Sequence, residues 1–311
     1  MEAIREGLRN FVGGWRKWFP KVARAPVVVL PIQPDPVYEA PRIGLALGGG
    51  FARGVAHAGV LKVLEEAGIP LHCITGVSAG SIVAAAYASG VRADDIASIG
   101  GAMRFADVAS WTICKMGFMR TERMEAFLRR LLKKHRFEEM EIPLGVVATD
   151  LQSGRMMAFR DSGDVMLPIR ASCSYPGMFQ PVAHEGRLLV DGGISVEVPA
   201  LLARVMGATH VIAVCIPMQA PAIAPGNLFE VINRCFQIMQ HHREELWRKY
   251  SDVVIEPAVS DNGWNAFENA HRMVEAGEAA ARAALPEILK IVEQPLGCCS
   301  PRPAGHKLSP A

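Results

Sequence analysis

Leu71-His72-Cys73-Ile74-Thr75-Gly76-Val77-Ser78-Ala79-Gly80-Ser81-Ile82-Val83-Ala84-Ala85-Ala86-Tyr87-Ala88-Ser89-Gly90 is the stretch on which the fold turns. Its first five residues form a short apolar run of the kind that makes a buried strand. Ser81 to Ser89 is alanine-rich, reads as a helix, and is closed by Gly90. Between them lies Gly76-Val77-Ser78-Ala79-Gly80, a G-x-S-x-G turn. A sharp strand-to-helix turn leaves no room for side chains on either side, so glycine flanks the serine. The helix that follows aims its first N–H groups at charge formed on attack. The pattern suits a nucleophilic serine. It also suits a tight turn with a capping serine, and the pentapeptide alone does not separate the two.

Working outward, the chain alternates strand and helix from Arg42 onward. Ile43-Gly44-Leu45-Ala46-Leu47 reads as a buried strand, followed by a glycine loop and a helix to Ala67 capped by Gly68. Leu144 to Thr149 is another strand, with Arg155 to Phe159 able to pair with it as a hairpin. Leu188-Leu189-Val190 leads into Asp191, and 210–214 and 252–255 supply the last strands. Asp94 to Arg136 is more polar and shows no clear strand. Met124, Phe127, Leu128, Leu131 and Leu132 form one apolar stripe there, as in a core helix or an insertion lying over the sheet edge like a lid. Solid apolar strands alternating with helices predict a three-layer α/β/α sandwich with a mostly parallel central sheet.

The glycine loop Gly48-Gly49-Gly50-Phe51-Ala52-Arg53-Gly54 opens a helix. A phosphate-binding P-loop needs Lys and Ser/Thr after its last glycine, where Val55 and Ala56 stand. A dinucleotide fingerprint needs glycine where Arg53 stands, and an acidic residue at the end of the second strand, where the Ser78 turn is. The remaining reading is an oxyanion hole, in which consecutive glycines let backbone N–H groups converge. In a parallel sheet this loop sits beside Ser78.

A nucleophilic serine needs a proton acceptor. Nine histidines leave a Ser-His-Asp triad open by count, but their contexts point to structural roles: His57 inside a helix, His72 and His210 at strand starts, His241 and His242 mid-helix. Asp191-Gly192-Gly193 is better placed. Asp191 ends an apolar strand, and two glycines let the chain turn away without crowding it. An aspartate serving only as a turn or cap residue is the alternative.

Composition narrows the classes. The 311 residues, 50% hydrophobic, suit one large α/β domain with extensions. A net charge of +2 excludes a general nucleic-acid footprint. Seven cysteines without a C-x-x-C pair predict buried free thiols in a reducing compartment, and no metal-like spacing occurs. No apolar run is long enough for a transmembrane helix, and the N-terminus lacks a signal-peptide pattern. Residues 1–26 read as a basic amphipathic arm. Ile4, Leu8, Phe11, Val12, Trp15, Trp18 and Phe19 recur at helical spacing among Arg5, Arg9, Arg16, Lys17, Lys21 and Arg24. Such an arm suits an anionic membrane surface through residues 1–24, or packing on the protein's own body or on a partner. Residues 27–41 form a Pro-rich linker, 42–292 the main domain, and 293–311 a tail of disordered character.

Together these pieces resemble the patatin-like phospholipase family, and most closely its bacterial members. The resemblance runs from about Arg42 to Glu278. It rests on Gly48 to Gly54, Gly76 to Gly80 and Asp191-Gly192-Gly193, in that order. Ala148-Thr149-Asp150-Leu151 and the segment from Arg170-Ala171-Ser172-Cys173-Ser174-Tyr175 through Pro176-Gly177-Met178-Phe179-Gln180-Pro181 add two further blocks. The resemblance implies a serine–aspartate dyad without histidine or metal, and no cofactor. Ser78 would be the nucleophile and Asp191 the base. N–H groups around Gly49, Gly50 and Phe51 would hold the oxyanion, and Arg53 would help fix that loop. Gly76 and Gly80 would shape the elbow. It implies a carboxylic ester hydrolase acting on phospholipids or lysophospholipids. The reducing-compartment thiols, the missing signal pattern and the basic arm set the expected place as cytoplasmic, or peripheral on the inner face of the membrane. A Ser-His-Asp carboxylesterase and a non-catalytic lipid-binding regulator are the rival expectations; oligomeric state is left open. Phe51 stands where many members carry a small residue, so its ring is expected to narrow the entrance or touch the acyl chain.

Overall fold

The computed structural model describes residues 40–114, 116–217, 224–261 and 266–293. The chain divides after Pro36, and the described residues lie in the second unit. The arm, nearly all of the Pro-rich linker and the tail from residue 294 lie outside the described residues.

The first strand, β1 (Ile43–Leu47), leads through a tight helical turn over Phe51–Val55 into α1 (Ala56–Glu66). Next, β2 (Leu71–Val77) runs straight into α2 (Ala79–Ala88). α3 (Ala93–Ala102) and the single turn α4 (Phe105–Val108) precede a hairpin of β3 (Ser110–Cys114) and β4 (Gly117–Arg120). α5 (Glu122–Leu131) follows, then a second hairpin of β5 (Leu144–Asp150) and β6 (Met156–Phe159). α6 (Met166–Ser172) leads to β7 (Val182–His184) and β8 (Arg187–Asp191). α7 (Ala200–Val205), β9 (His210–Val214), α8 (Leu228–Arg248), β10 (Val253–Ile255) and α9 (Ala270–Glu293) complete the order.

The main sheet has eight strands in the order β10-β9-β1-β2-β5-β8-β7, with β6 paired to β5. β10, β9, β1, β2 and β5 are parallel, whereas β6, β7 and β8 run antiparallel to their neighbours. Successive side chains of a strand point to opposite faces, and β1 shows both faces covered. Ile43, Leu45 and Leu47 pack with Leu61 and Leu64 of α1, Ala84 of α2 and Ile288 of α9. Ala46 points the other way, into a cluster with Ala200 and Ala203 of α7 and Trp247 of α8. This is the expected three-layer α/β/α arrangement. Leu45 is fully buried, and truncating such a residue to alanine costs about 2–5 kcal/mol.

The stripe on α5 belongs to the core: Met124, Leu128, Leu131 and Leu132 are buried and Phe127 packs partly against them. The expectation of no strand between residues 94 and 136 is corrected by the β3–β4 hairpin. Among the described cysteines, Cys73, Cys173 and Cys215 are buried free thiols, but Cys235 is exposed on α8. Among the described residues no helix is long and apolar enough to cross a membrane.

One register decides where the chemistry sits. On one edge of β5, Val147 pairs with Ala158 and Ala148 with Met157, both of β6. On the opposite edge Val147 pairs with Val77 of β2, and the next residue, Ala148, pairs with Asp191 of β8. β2 is parallel to β5 and β8 antiparallel, so the two strands lie end to end with their C-terminal ends meeting. The residue after β2 is Ser78, and the last residue of β8 is Asp191.

Candidate active site

Ser78 occupies the elbow between β2 and α2 with φ 51° and ψ −127°. A non-glycine residue held there carries strain of about 1–3 kcal/mol, which its surroundings must over-determine. They do so through three bonds. The Ser78 N–H donates to Ser172 Oγ at 2.8 Å. The Ser78 carbonyl accepts from the Ser81 N–H at 2.9 Å and from Ser81 Oγ at 2.6 Å. The flanking glycines are a steric requirement. A Cβ on Gly76 would strike the backbone of Gly80 and Ser81, and one on Gly80 would strike the carbonyls of Leu47 and Gly48. β1, β2 and α2 therefore converge at this elbow with no space for another atom.

The Ser78 hydroxyl donates to Asp191 Oδ2 at 2.8 Å. The other carboxylate oxygen, Oδ1, accepts the Gly193 N–H at 2.8 Å, which explains the turn made by Gly192 and Gly193. Both side chains are buried, Ser78 at 8% and Asp191 at 3% exposure. Burial pushes the Asp191 carboxyl up to about 7, against the hydrogen bonds from Gly193 and Ser78, which hold it down. A carboxylate poised near neutrality can take a proton from a hydroxyl far more readily than an ordinary one.

The backbone of Asp191 is itself clamped. Its N–H donates to the Ser174 carbonyl at 2.9 Å, and its carbonyl accepts from Thr149 Oγ1 at 2.9 Å. Ser172 and Ser174 thus hold the two partners from one short segment at the end of α6. Arg170 anchors that segment by donating to Glu125 at 2.7 Å and Thr121 at 3.2 Å. Asp150 and Arg187 pair at 2.8 Å and tie β5 to the start of β8. The sequence pattern alone assigns Ser172, Ser174 and Thr149 no task. Their signal was a cluster of small hydroxyl residues beside apolar strands.

The glycine loop lies against the serine. A Cβ on Gly49 would sit 3.3 Å from Ser78 Cβ and 4.0 Å from its Oγ. Gly48 is clamped from two sides: its N–H donates to the Val214 carbonyl at 2.9 Å, and its carbonyl accepts from His57 Nε2 at 2.9 Å. Among the described residues neither the Gly49 nor the Gly50 N–H meets a protein acceptor. Phe51 has φ 51°, and its ring stands edge-on to Tyr175 with centroids 4.8 Å apart. Arg53 is buried, its guanidinium lowered by burial, but its side chain makes no hydrogen bond to the loop among the described residues.

Histidine is absent from this cluster as a proton acceptor. His57 must carry its proton on Nε2, since a carbonyl only accepts, and burial lowers the ring to about 4. Among the described residues no histidine bonds to Ser78 or Asp191. Among them, too, no His, Cys, Asp and Glu side chains group as metal ligands would.

Ser78 opens onto a small, solvent-connected cavity of about 70 Å³. Its walls are almost wholly apolar: Phe51 and Ile82 near the serine, Met103, Phe105 and Val108 from the segment after α3, Met124 of α5, and Phe179 and Phe267. The region between α3 and α5 therefore roofs the cavity as well as filling the core.

The chain is similar to several known proteins. A family model described as patatin-like phospholipase matches residues 45–204. An uncharacterized NTE family protein of Mycobacterium tuberculosis is 33% identical over 192 residues, 61% of this chain and 52% of that protein. Lysophospholipase NTE1 of Mycosarcoma maydis is 34% identical over 227 residues, 70% of this chain and 12% of that one. Patatin-like phospholipase domain-containing protein 6 of Mus musculus is 34% identical over 186 residues, 57% and 14% of the two chains. The chain spans about half the length of the mycobacterial relatives, and much less of the other two. Among solved structures, VipD of Legionella pneumophila superposes with a TM-score of 0.51 at 14% identity, covering 80% of this chain and 67% of VipD, a likeness of fold.

Proposed function

The chain belongs to the patatin-like phospholipase family, and from that premise we propose that it is a serine acyl hydrolase that cleaves fatty-acyl esters of phospholipids or lysophospholipids through Ser78 and Asp191. The observation that carries the reading is the 2.8 Å hydrogen bond from Ser78 to a buried, near-neutral Asp191 at the wall of an apolar cavity. The cavity suits an acyl chain, and lysophospholipase appears in the name of one relative.

In the proposed mechanism Asp191 accepts the Ser78 proton as Oγ attacks the ester carbonyl. The N–H groups of Gly49 and Gly50, with that of Phe51, receive the oxyanion; one such donor is typically worth about 3–4 kcal/mol. Collapse breaks the C–O bond, and Asp191 returns its proton to the departing alcohol oxygen. Water then attacks the acyl-serine carbonyl, giving its proton to Asp191, and Ser78 leaves reprotonated with release of the fatty acid. The arm over residues 1–24 is proposed to add affinity for an anionic membrane surface.

The test is a product screen with lysophospholipids and phospholipids, together with labelling by a fluorophosphonate. Wild type should release free fatty acid and carry the label on Ser78. Ser78→Ala should do neither while keeping its fold. Fatty-acid release by that variant at the wild-type rate would remove Ser78 from the chemistry.

A further inference from the structure

The β3–β4 hairpin exposes apolar side chains that the catalytic cavity does not use. Trp111 is 81% exposed, Phe118 59% and Met116 53%. β4 alternates: Gly117 and Met119 face the body, whereas Phe118 and Arg120 face solvent. The inward side is tied to the segment that walls the cavity. The Phe118 and Met119 N–H groups both donate to the Met178 carbonyl at 3.0 Å, and the Gln180 N–H donates to the Met119 carbonyl at 3.0 Å. A Cβ on Gly117 would meet the backbone of Phe179 and Gln180 at 2.7 Å, so the two segments lie in direct contact. Phe179 lines the cavity, and so do Phe105 and Val108 immediately before β3. The hairpin therefore rises from the cavity rim at its root and along its inner face.

We propose that this hairpin seats in the headgroup layer of a lipid bilayer and brings the cavity mouth to the membrane. Large apolar side chains left in solvent on one hairpin mark an interaction surface, and Trp111 on β3, Met116 at the turn and Phe118 on β4 supply them. Tryptophan and phenylalanine beside arginine favour the boundary between headgroups and acyl chains, where rings are half-buried and cations reach phosphate. Arg104, Arg120 and Arg123 are exposed around the hairpin against Asp107 and Glu122, so anionic lipid strengthens a contact led by the exposed rings. A bilayer also explains why the exposed rings stand on a hairpin packed against the wall of an apolar cavity: a lipid chain entering the cavity leaves the bilayer beside it. The biological sense of this docking rests on the lipid-ester reading above, but its test does not.

The experiment uses the full chain carrying Ser78→Ala, with and without Trp111→Ser plus Phe118→Ser. Flotation is measured with phosphatidylcholine vesicles and with vesicles also containing phosphatidylglycerol. Loss of the two rings should weaken vesicle binding at least about tenfold. Brominated lipids should quench the part of the tryptophan emission that disappears in Trp111→Phe. Turnover of a soluble short-chain ester by the hairpin variant, with Ser78 intact, reports that the fold survives. Equal flotation of the two proteins overturns the proposal. So does a sedimentation dimer that dissolves in the hairpin variant without change in vesicle binding, which assigns the exposed rings to a second copy of this chain. Vesicle binding that needs the rings, while the chain with Ser78 intact releases no fatty acid from phospholipid or lysophospholipid, keeps the docking and rejects the enzymatic reading.

Discussion

Asp191→Asn separates the energetic role of this carboxyl from its chemical one. In the folded chain its carboxyl lies at about 7, against an ordinary value of 3.8, because burial strips its water. Such a group binds a proton more tightly folded than unfolded. Its contribution to stability is complete below about pH 4 and is lost as pH rises through 7. The difference amounts to about 4 kcal/mol. Asparagine is nearly isosteric and carries no charge: its carbonyl oxygen accepts from Gly193, and its amide donates to the Ser78 oxygen. The variant should therefore match wild type near pH 4 and exceed it by up to about 4 kcal/mol at pH 8. For a domain of this size that is roughly 10 °C in midpoint. Activity should move the opposite way. Wild-type kcat/KM should rise with pH along a limb centred near 7, as the base loses its proton, and the variant should lose at least about a thousandfold. Thermal melts and initial rates across pH 4–9 measure both. A midpoint gap that does not change with pH, or an activity limb centred near 4, would refute the claim that Asp191 is a desolvated base.

Ser172→Ala leaves the Ser78 N–H without its acceptor in a buried site, so it should cost about 1–3 kcal/mol in stability and lower kcat. Ser174→Ala should matter much less, because Ser174 holds Asp191 through its carbonyl, and a comparison of melts and rates for the two shows whether the backbone clamp is real. Phe51→Ala removes a ring from the cavity wall and its contact with Tyr175, so it should shift preference toward longer or bulkier acyl chains, read from kcat/KM across a chain-length series. His57 lies at about 4 in the folded chain against 6.5 ordinarily, so stability from its burial is present above about 6.5 and lost as pH falls toward 4. His57→Gln should remove that acid limb from the melts and, by loosening Gly48, reduce kcat; an unchanged acid limb would clear His57 of this role.

The apolar strands were legible because both faces of the sheet are covered: β1, β2, β5, β9 and β10 read as solid runs, and the structure places strands at all of them. The turn around Ser78 and the end of β8 at Asp191 were equally plain, since glycines mark both. What sequence could not supply was the direction of β8. An antiparallel strand reads like a parallel one, and only the pairing of Ala148 with Asp191 shows that β8 meets β2 end to end. The β3–β4 hairpin was hidden for another reason. Its residues follow one helical segment and precede a strong helical stripe at Met124, Leu128 and Leu131, and its stabilising bonds run to Met178 and Gln180, some sixty residues away. Ser172 and Ser174 were invisible as clamps because small hydroxyl residues occur everywhere, and only proximity gives them a task.

The end-to-end meeting of β2 and β8 also offers a physical reason for the proposed dyad in place of a triad. A histidine brings a base near neutrality by its own chemistry. An aspartate in water is a base far too weak for a hydroxyl. Here the junction of two strands on one edge of β5 seals Asp191 beneath Ser172, Ser174 and the glycine turn, and burial lifts its carboxyl to about 7. Only two hydrogen bonds, from Gly193 and Ser78, oppose that lift, and no cation pairs with it among the described residues. Placing an arginine or lysine within reach of Asp191 would pull the carboxyl back toward its ordinary range. In the proposed mechanism such a variant keeps the hydrogen bond and loses the rate, because the dyad depends on a dry carboxylate and not on contact alone.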